Sequence, residues 1–305
     1  MPDPEHARDS VLEPVPGSVH EAFVRFHRYI TPTEAEFEGG RARRAEILSA
    51  LRASFGVTRF FPVGSFSNGT GVRGFSDADY FATIPGEYAS DNSDSMLQAV
   101  AYALSVRFPE VAVAVRTPAV LLPFGNDPSG WVEVFPVRFM EQAPGQYLVY
   151  QIADGRGGWK PSMPDAHNAY ITSVDRRLKN MVRPLIRFIK AWKYYRSVPV
   201  SSFYLELWVT AYAANEAAIV YGLDVKNILL RLANEGLAPL ADPLGVTGDI
   251  PPCTDESKHA DALFRLKTSL SIAESAAEAE SAGDIEEAIQ RWDVLYAGAF
   301  RSARV

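Results

Sequence analysis

Phe60-Phe61-Pro62-Val63-Gly64-Ser65-Phe66-Ser67-Asn68-Gly69-Thr70-Gly71-Val72-Arg73-Gly74-Phe75-Ser76-Asp77-Ala78-Asp79-Tyr80-Phe81-Ala82 is the stretch that decides how this chain reads. A Gly64-Ser65 turn after an apolar strand offers backbone N–H groups and a hydroxyl to a chain of phosphates. Asp77 and Asp79, at i and i+2 where a second strand opens, point to one face because strand side chains alternate. Adjacent carboxylates suit a hard divalent cation. Phosphates beside metal-binding carboxylates imply nucleotidyl transfer, in which two ions clamp the attacking and leaving oxygens.

Such a site needs a third acid from a neighbouring strand. Glu133, within Trp131-Val132-Glu133-Val134-Phe135-Pro136-Val137, is the candidate. A carboxylate among apolar neighbours is costly to bury unless it is paired or metal-bound. The competing reading of Glu133 is an outward-facing edge residue, and that of Asp77 and Asp79 a turn with two solvated acids. The ordered set favours metal: Asp77, Asp79 and Glu133 are expected to hold two Mg²⁺ ions, with Mn²⁺ able to replace them. Gly64 and Ser65 are expected to touch the β- and γ-phosphates.

Around this stretch lie 305 residues, 47% hydrophobic and 22% charged, which fits a soluble globular chain of one or two domains. A net charge of -7 argues against a protein that coats nucleic acid by charge, so no stable nucleic-acid partner is expected. Cys253 is the single cysteine, which excludes an intrachain disulfide and a cysteine-built zinc site. The five histidines (His6, His20, His27, His167, His259) have no metal-ligand spacing and read as surface or packing residues. Residues 1–16 lack the basic-then-apolar order of a signal peptide. The apolar run 205–223 is interrupted by Glu206, Asn215 and Glu216, which marks a buried helix rather than a membrane span. A cytoplasmic enzyme is the expectation.

Apolar spacing predicts helices over 18–30 and from Thr31-Pro32-Thr33-Glu34, read as a capping box, to about 54. Strands are predicted over 57–63, 78–84, 111–116, 119–123, 131–138 and 147–152, and a helix over 94–108. The turn Gly125-Asn126-Asp127-Pro128-Ser129-Gly130 joins two of the strands as a hairpin. Gly155-Arg156-Gly157-Gly158-Trp159-Lys160-Pro161-Ser162 reads as a loop and a boundary. Beyond it, helices are expected over 173–196, 202–221, 225–235, 255–282 and 285–302, with a proline-rich loop over 236–254. The expected layout is α+β: a lead over 1–17, a mixed-sheet core with N-terminal helices over 18–160, and a helical lobe over 161–305, with a cleft between the lobes. Arg176, Arg183, Arg187 and Lys190 fall on roughly one face of the 173–196 helix, with Lys179 and Lys193 close by. If that face lines the cleft, it would neutralise a triphosphate. The competing reading is a solvated face.

With these residues in view, the chain resembles the nucleotidyltransferase superfamily that includes poly(A) polymerase and oligoadenylate synthetase. It is more closely similar to the bacterial CD-NTases, relatives of cyclic GMP-AMP synthase. The signature matched is Gly64-Ser65, Asp77-Ala78-Asp79 and Glu133, with Gly69-Thr70 in the intervening loop. Glu133 departs from the Asp common at the third position. Gly158-Trp159-Lys160-Pro161-Ser162-Met163-Pro164 resembles the family's Trp-containing link. Arg187-Phe188-Ile189-Lys190-Ala191-Trp192 resembles its Arg-x-x-Lys-x-Trp helix, which puts a phosphate contact on Lys190. Ser202-Phe203-Tyr204-Leu205-Glu206 resembles the next helix start, which places Ser202 near the nucleotide. Asn168 is a candidate base contact. The helix ending in Trp292 and Phe300 resembles the family's closing one.

The resemblance implies an enzyme joining ATP, and other nucleoside triphosphates such as GTP, UTP or CTP, into a cyclic di- or trinucleotide second messenger, with release of pyrophosphate. It also implies anti-phage signalling and a separate effector, and leaves open whether the enzyme is constitutively active or needs a regulatory partner protein. The short tail 301–305 reads as a frayed end or a point of partner attachment. The alternatives are a template-independent RNA-terminal or poly(A)-type transferase, nucleotide transfer to a protein or small molecule, and a catalytically dead nucleotide-binding module.

Overall fold

The computed structural model describes residues 17–142 and 147–302, so the lead over 1–16 and the end of the tail at 303–305 lie outside the described residues. Among these, the N-terminal part runs α1 (Val19–Ile30), α2 (Glu34–Ala42), α3 (Arg44–Phe55), β1 (Arg59–Pro62), α4 (Gly64–Asn68), β2 (Ala78–Thr83), α5 (Ser93–Arg107), β3 (Ala114–Arg116), β4 (Ala119–Pro123), β5 (Trp131–Gln142), β6 (Leu148–Ala153) and β7 (Trp159–Ser162). The second part runs α6 (Pro164–Arg177), α7 (Val182–Tyr195), α8 (Ser202–Ala214), α9 (Tyr221–Asn234), β8 (Leu240–Ala241), β9 (Asp249–Ile250), α10 (Glu256–Ser281) and α11 (Ile285–Leu295).

The main sheet has the order β1-β2-β5-β4-β3, and β6 and β7 extend it from the second half of β5. All of its pairings are antiparallel except β2 with β5. Alternation sorts the two faces. Ala78, Tyr80, Ala82, Val132 and Val134 face one way and are buried with Ile47 and Leu51 of α3 and Val100 and Leu104 of α5. Asp79 and Glu133 therefore face the other way, away from the two helices.

The second core is helical, and α1 belongs to it. Phe23 of α1 is fully buried, edge-on to Phe188 of α7 at 4.9 Å and to Trp292 of α11 at 5.1 Å. The first helix thus packs with the C-terminal lobe, not with the sheet as an N-terminal-helix reading would have it.

Several local expectations are corrected. The helix expected from Thr31 to about residue 54 is two helices meeting at Arg43, and its box is closed by Thr33 with Glu36 rather than by Thr31. The helix expected over 173–196 is also two. Lys179 and Asn180 take left-handed φ of 58° and 63°, and the buried Asp175 accepts from the N–H groups of Val182 and Arg183 to start α7. Trp159–Ser162, read as loop, is an edge strand on β6, where Pro161 is tolerated because one side of the strand is unpaired. The proline-rich loop over 236–254 carries the β8–β9 hairpin.

Candidate active site

The parallel register of β2 and β5 sets Asp79 directly opposite Glu133. Asp77 lies just before β2 begins and is brought to the same side as Asp79 and Glu133. A carboxylate oxygen from each of Asp77, Asp79 and Glu133 falls within 4.8 Å of the others. Gly64, which opens α4, lies against them: with φ of 61°, a Cβ there would stand 2.3 Å from Asp79 Oδ2. Glycine is required at this position both for the left-handed turn and for the approach to the acid. Ser65 follows in the first turn of α4, where N–H groups have no preceding turn to donate to.

All three acids are raised, and Asp77 is part of the cause for the other two. Burial, then the charges of Asp77 and Glu133, lift Asp79 well above the carboxylate range. Burial and then Asp77 push Glu133 up to about 7, with Arg116 pulling the other way. Burial likewise raises Asp77, against its own backbone hydrogen bond, Lys190 and Lys193. Among the described residues no cation makes an ion pair with any of the three. A crowded set of hard oxygen donors, none of them held in an ion pair, fits a divalent ion of the Mg²⁺ or Mn²⁺ kind.

The basic stripe does not line a phosphate site as a unit. Arg176 belongs to α6, apart from the others on α7. Arg183 donates to the Asn68 carbonyl at 2.7 Å and to Asp175. Arg187 donates to the carbonyls of Gly71 and Gly69 at 2.9 and 2.6 Å. Lys190 is fully buried, and its ammonium donates to Glu206 Oε1 at 2.6 Å. These groups hold the loop between the Gly-Ser turn and the two aspartates.

Lys193, one turn on along α7, also acts on the acids: its charge, like that of Lys190, lowers Asp77. It donates to Ser202 Oγ at 2.6 Å, and its ammonium lies 4.6 Å from the centre of the Tyr194 ring. Burial, then Lys190, hold it down at about 8, against the pull of Asp77. Ser202, in the first turn of α8, thus comes together with Lys193. Asn168 is on α6, in an open groove of about 460 Å³ lined by Asp165, Asn168, Ala169, Thr172, Ser173 and Arg176. His167, beside it, is buried and bonded to Asp242 at 3.1 Å, in keeping with a packing role.

Two residues near the acids carried little signal. Glu206 was visible as a charge in an apolar helical run. Arg116, whose guanidinium stacks 5.2 Å from the centre of the Trp131 ring and whose charge acts on Glu133, sits at the end of a short strand with nothing to distinguish it in the sequence.

No protein-family model matches the chain. A probable cyclic nucleotide synthase of Bacillus cereus strain VD146 is 24% identical over 231 residues, which cover 74% of this chain and 69% of that protein. The structure of CdnC from E. coli MS115-1 with ATP matches with a TM-score of 0.71 at 17% identity, covering 92% of this chain and 98% of that one. CdnC is also solved in a complex with HORMA-deltaN. The apo form of Vibrio cholerae DncV matches with a TM-score of 0.71 at 15% identity, covering 93% of this chain and 96% of that one. The mixed sheet with its helical lobe is the nucleotidyltransferase fold of these CD-NTase structures.

Proposed function

We propose that this chain, which has the CD-NTase fold, is a divalent-metal-dependent nucleotidyltransferase that joins nucleoside triphosphates into a cyclic di- or trinucleotide. The observation that carries the reading is the convergence of Asp77, Asp79 and Glu133 within 4.8 Å beside the Gly64 turn. At each bond a ribose hydroxyl attacks an α-phosphorus. The new P–O bond forms as the bond to pyrophosphate breaks.

Asp77, Asp79 and Glu133 would hold the ions, with Mg²⁺ the natural choice. Bound there, divalent ions lower the pKa of an attacking hydroxyl and steady the leaving oxygen. The protein's own part is placement. Gly64 and Ser65 offer backbone N–H groups and a hydroxyl to the β- and γ-phosphates. Lys193, held by Ser202 and the Tyr194 ring, supplies the charge-assisted contact to the same phosphates. Lys190 stands behind it as a strut, not as the phosphate contact itself. Asn168 presents its amide to the α6 groove, where it would meet a base edge.

ATP is the first substrate to try, since the CdnC structure contains it. The CdnC complex with HORMA-deltaN supports a regulatory partner protein for this chain also. The product would act on a separate effector in anti-phage signalling inside the cell. No helix among the described residues is long and apolar enough to cross a membrane.

The test is incubation with labelled ATP, GTP, CTP and UTP and Mg²⁺, without primer, followed by phosphatase. Small phosphatase-resistant products, absent from a folded Asp77→Ala/Asp79→Ala variant, are expected. Long products point to a polymerase. Intact triphosphates that are consumed only when an acceptor is added point to transfer onto another molecule.

A further inference from the structure

The loop between the two sequence motifs, residues 68–76, is tied down along its length. Asn68 Nδ2 donates to Glu206 Oε2 at 3.1 Å and Thr70 Oγ1 donates to Glu206 Oε1 at 2.7 Å. Lys190 donates to the same carboxylate at 2.6 Å. Thr70, Lys190 and Glu206 are all buried, at 0%, 0% and 3% exposure. Arg183 and Arg187 take the carbonyls of Asn68, Gly69 and Gly71. Farther along, Phe75 stacks on Tyr194 at 4.8 Å, with an interplanar angle of 10°.

Arg183, Arg187, Lys190 and Tyr194 recur at steps of four, three and four, so one face of α7 runs along this loop from end to end. Asn68 closes α4, the turn bearing Gly64 and Ser65, and Ser76 precedes Asp77. Both ends of the loop therefore abut the site. Gly64 and Asp79 approach so closely that a shift of either end moves one against the other.

We propose that Glu206 is a positioning residue: by accepting from Asn68, Thr70 and Lys190 together it fixes the loop, and through the loop it sets Asp77 and Asp79 against Glu133 for the metal. This rests on the metal-dependent reading of the triad. The oxygens of Glu206 are taken by Asn68, Thr70 and Lys190, and beyond these contacts its charge also acts on Asp79. A buried carboxylate is costly unless its oxygens are satisfied, so the three donors and the acid hold one another in a single arrangement. The helical lobe thereby becomes part of the metal site without contributing a ligand.

The isosteric change Thr70→Val removes one donor and leaves the volume and the Lys190–Glu206 pair in place. Thr70→Ser restores the hydroxyl. Amide hydrogen exchange across 69–76, the midpoint of the Mn²⁺-induced rise in Tm, and kcat against KM for pyrophosphate release from ATP are read on the full chain. Thr70→Val is expected to exchange faster across 69–76, to need about tenfold more Mn²⁺, and to lose about tenfold or more in kcat with KM little changed. Thr70→Ser is expected to return all three toward wild type. Glu206→Gln, which turns one acceptor into a donor, should show a larger effect in the same direction. If Thr70→Val matches wild type in Mn²⁺ midpoint and kcat, or loses only Tm, the positioning role is overturned while the metal reading stands. If wild type shows no Mn²⁺ response at all, the metal reading falls and the proposal with it.

Discussion

Replacing Glu133 by Gln removes one of three crowded charges and keeps the shape of the side chain. In the folded chain, burial first and the Asp77 charge second raise the Glu133 carboxyl from 4.5 to about 7, against Arg116. Between those two values the folded chain holds a proton that the unfolded chain has released. Its contribution to stability is therefore full below the lower value and is lost as pH rises through the upper one. A displacement of this size is worth roughly 3 kcal/mol, and the partial exposure of Glu133 brings it to about 2 kcal/mol by solvent screening. Glu133→Gln carries no charge to be relieved. In EDTA at about pH 8 it should melt a few degrees above wild type, and the gap should narrow toward about pH 5. Scanning fluorimetry across that range measures it. Mn²⁺ added at the higher pH should raise the wild-type Tm and leave Glu133→Gln nearly unmoved, while pyrophosphate release disappears in the variant. A Glu133→Gln chain that melts below wild type at the higher pH without metal refutes the reasoning, because the carboxylate would then be satisfied rather than crowded.

Three further outcomes are expected. Lys193→Met should raise KM for ATP by roughly tenfold to a hundredfold, the worth of a charge-assisted hydrogen bond, with Tm held within about 1 °C of wild type or above, since a partly desolvated ammonium is removed. Steady-state kinetics and a melt check both. Gly64→Ala places a Cβ 2.3 Å from Asp79 Oδ2 on a left-handed residue. Pyrophosphate release and the Mn²⁺-induced Tm rise should both be lost while circular dichroism stays native. Phe23→Ala should cost about 3–5 kcal/mol in urea unfolding, the usual range for a buried ring, because α1 is held to the helical lobe by that side chain.

Residues with strong local chemistry announced themselves in the sequence. Gly56 ends α3 in a left-handed cap, and β4 spans the residues that its apolar run predicts. Reading Asp77 and Asp79 onto one face needs only strand geometry. The lone acid in an apolar strand needs only the cost of burying it. What stayed hidden depends on distant partners. The break before α7 is made by Lys179 and Asn180, neither of them glycine, and by Asp175 reaching forward, so the helical period runs through it unmarked. The burial of Lys190 follows from Glu206, sixteen residues away on another helix. The arginines on α7 look the same in sequence whether they meet phosphate or carbonyl oxygens. Only the fold of the 68–76 loop decides for the carbonyls.

The claim beneath all of this is that Asp77, Asp79 and Glu133 share divalent ions under a triphosphate. The most direct measurement is a crystal structure with Mn²⁺ and a non-hydrolysable ATP analogue, with anomalous scattering collected to locate the manganese. Peaks about 2.0–2.2 Å from oxygens of all three carboxylates, with phosphate oxygens completing the shell, are the predicted result. Manganese absent from the three acids, or bound to Asp77 and Asp79 with Glu133 turned to solvent, contradicts the account.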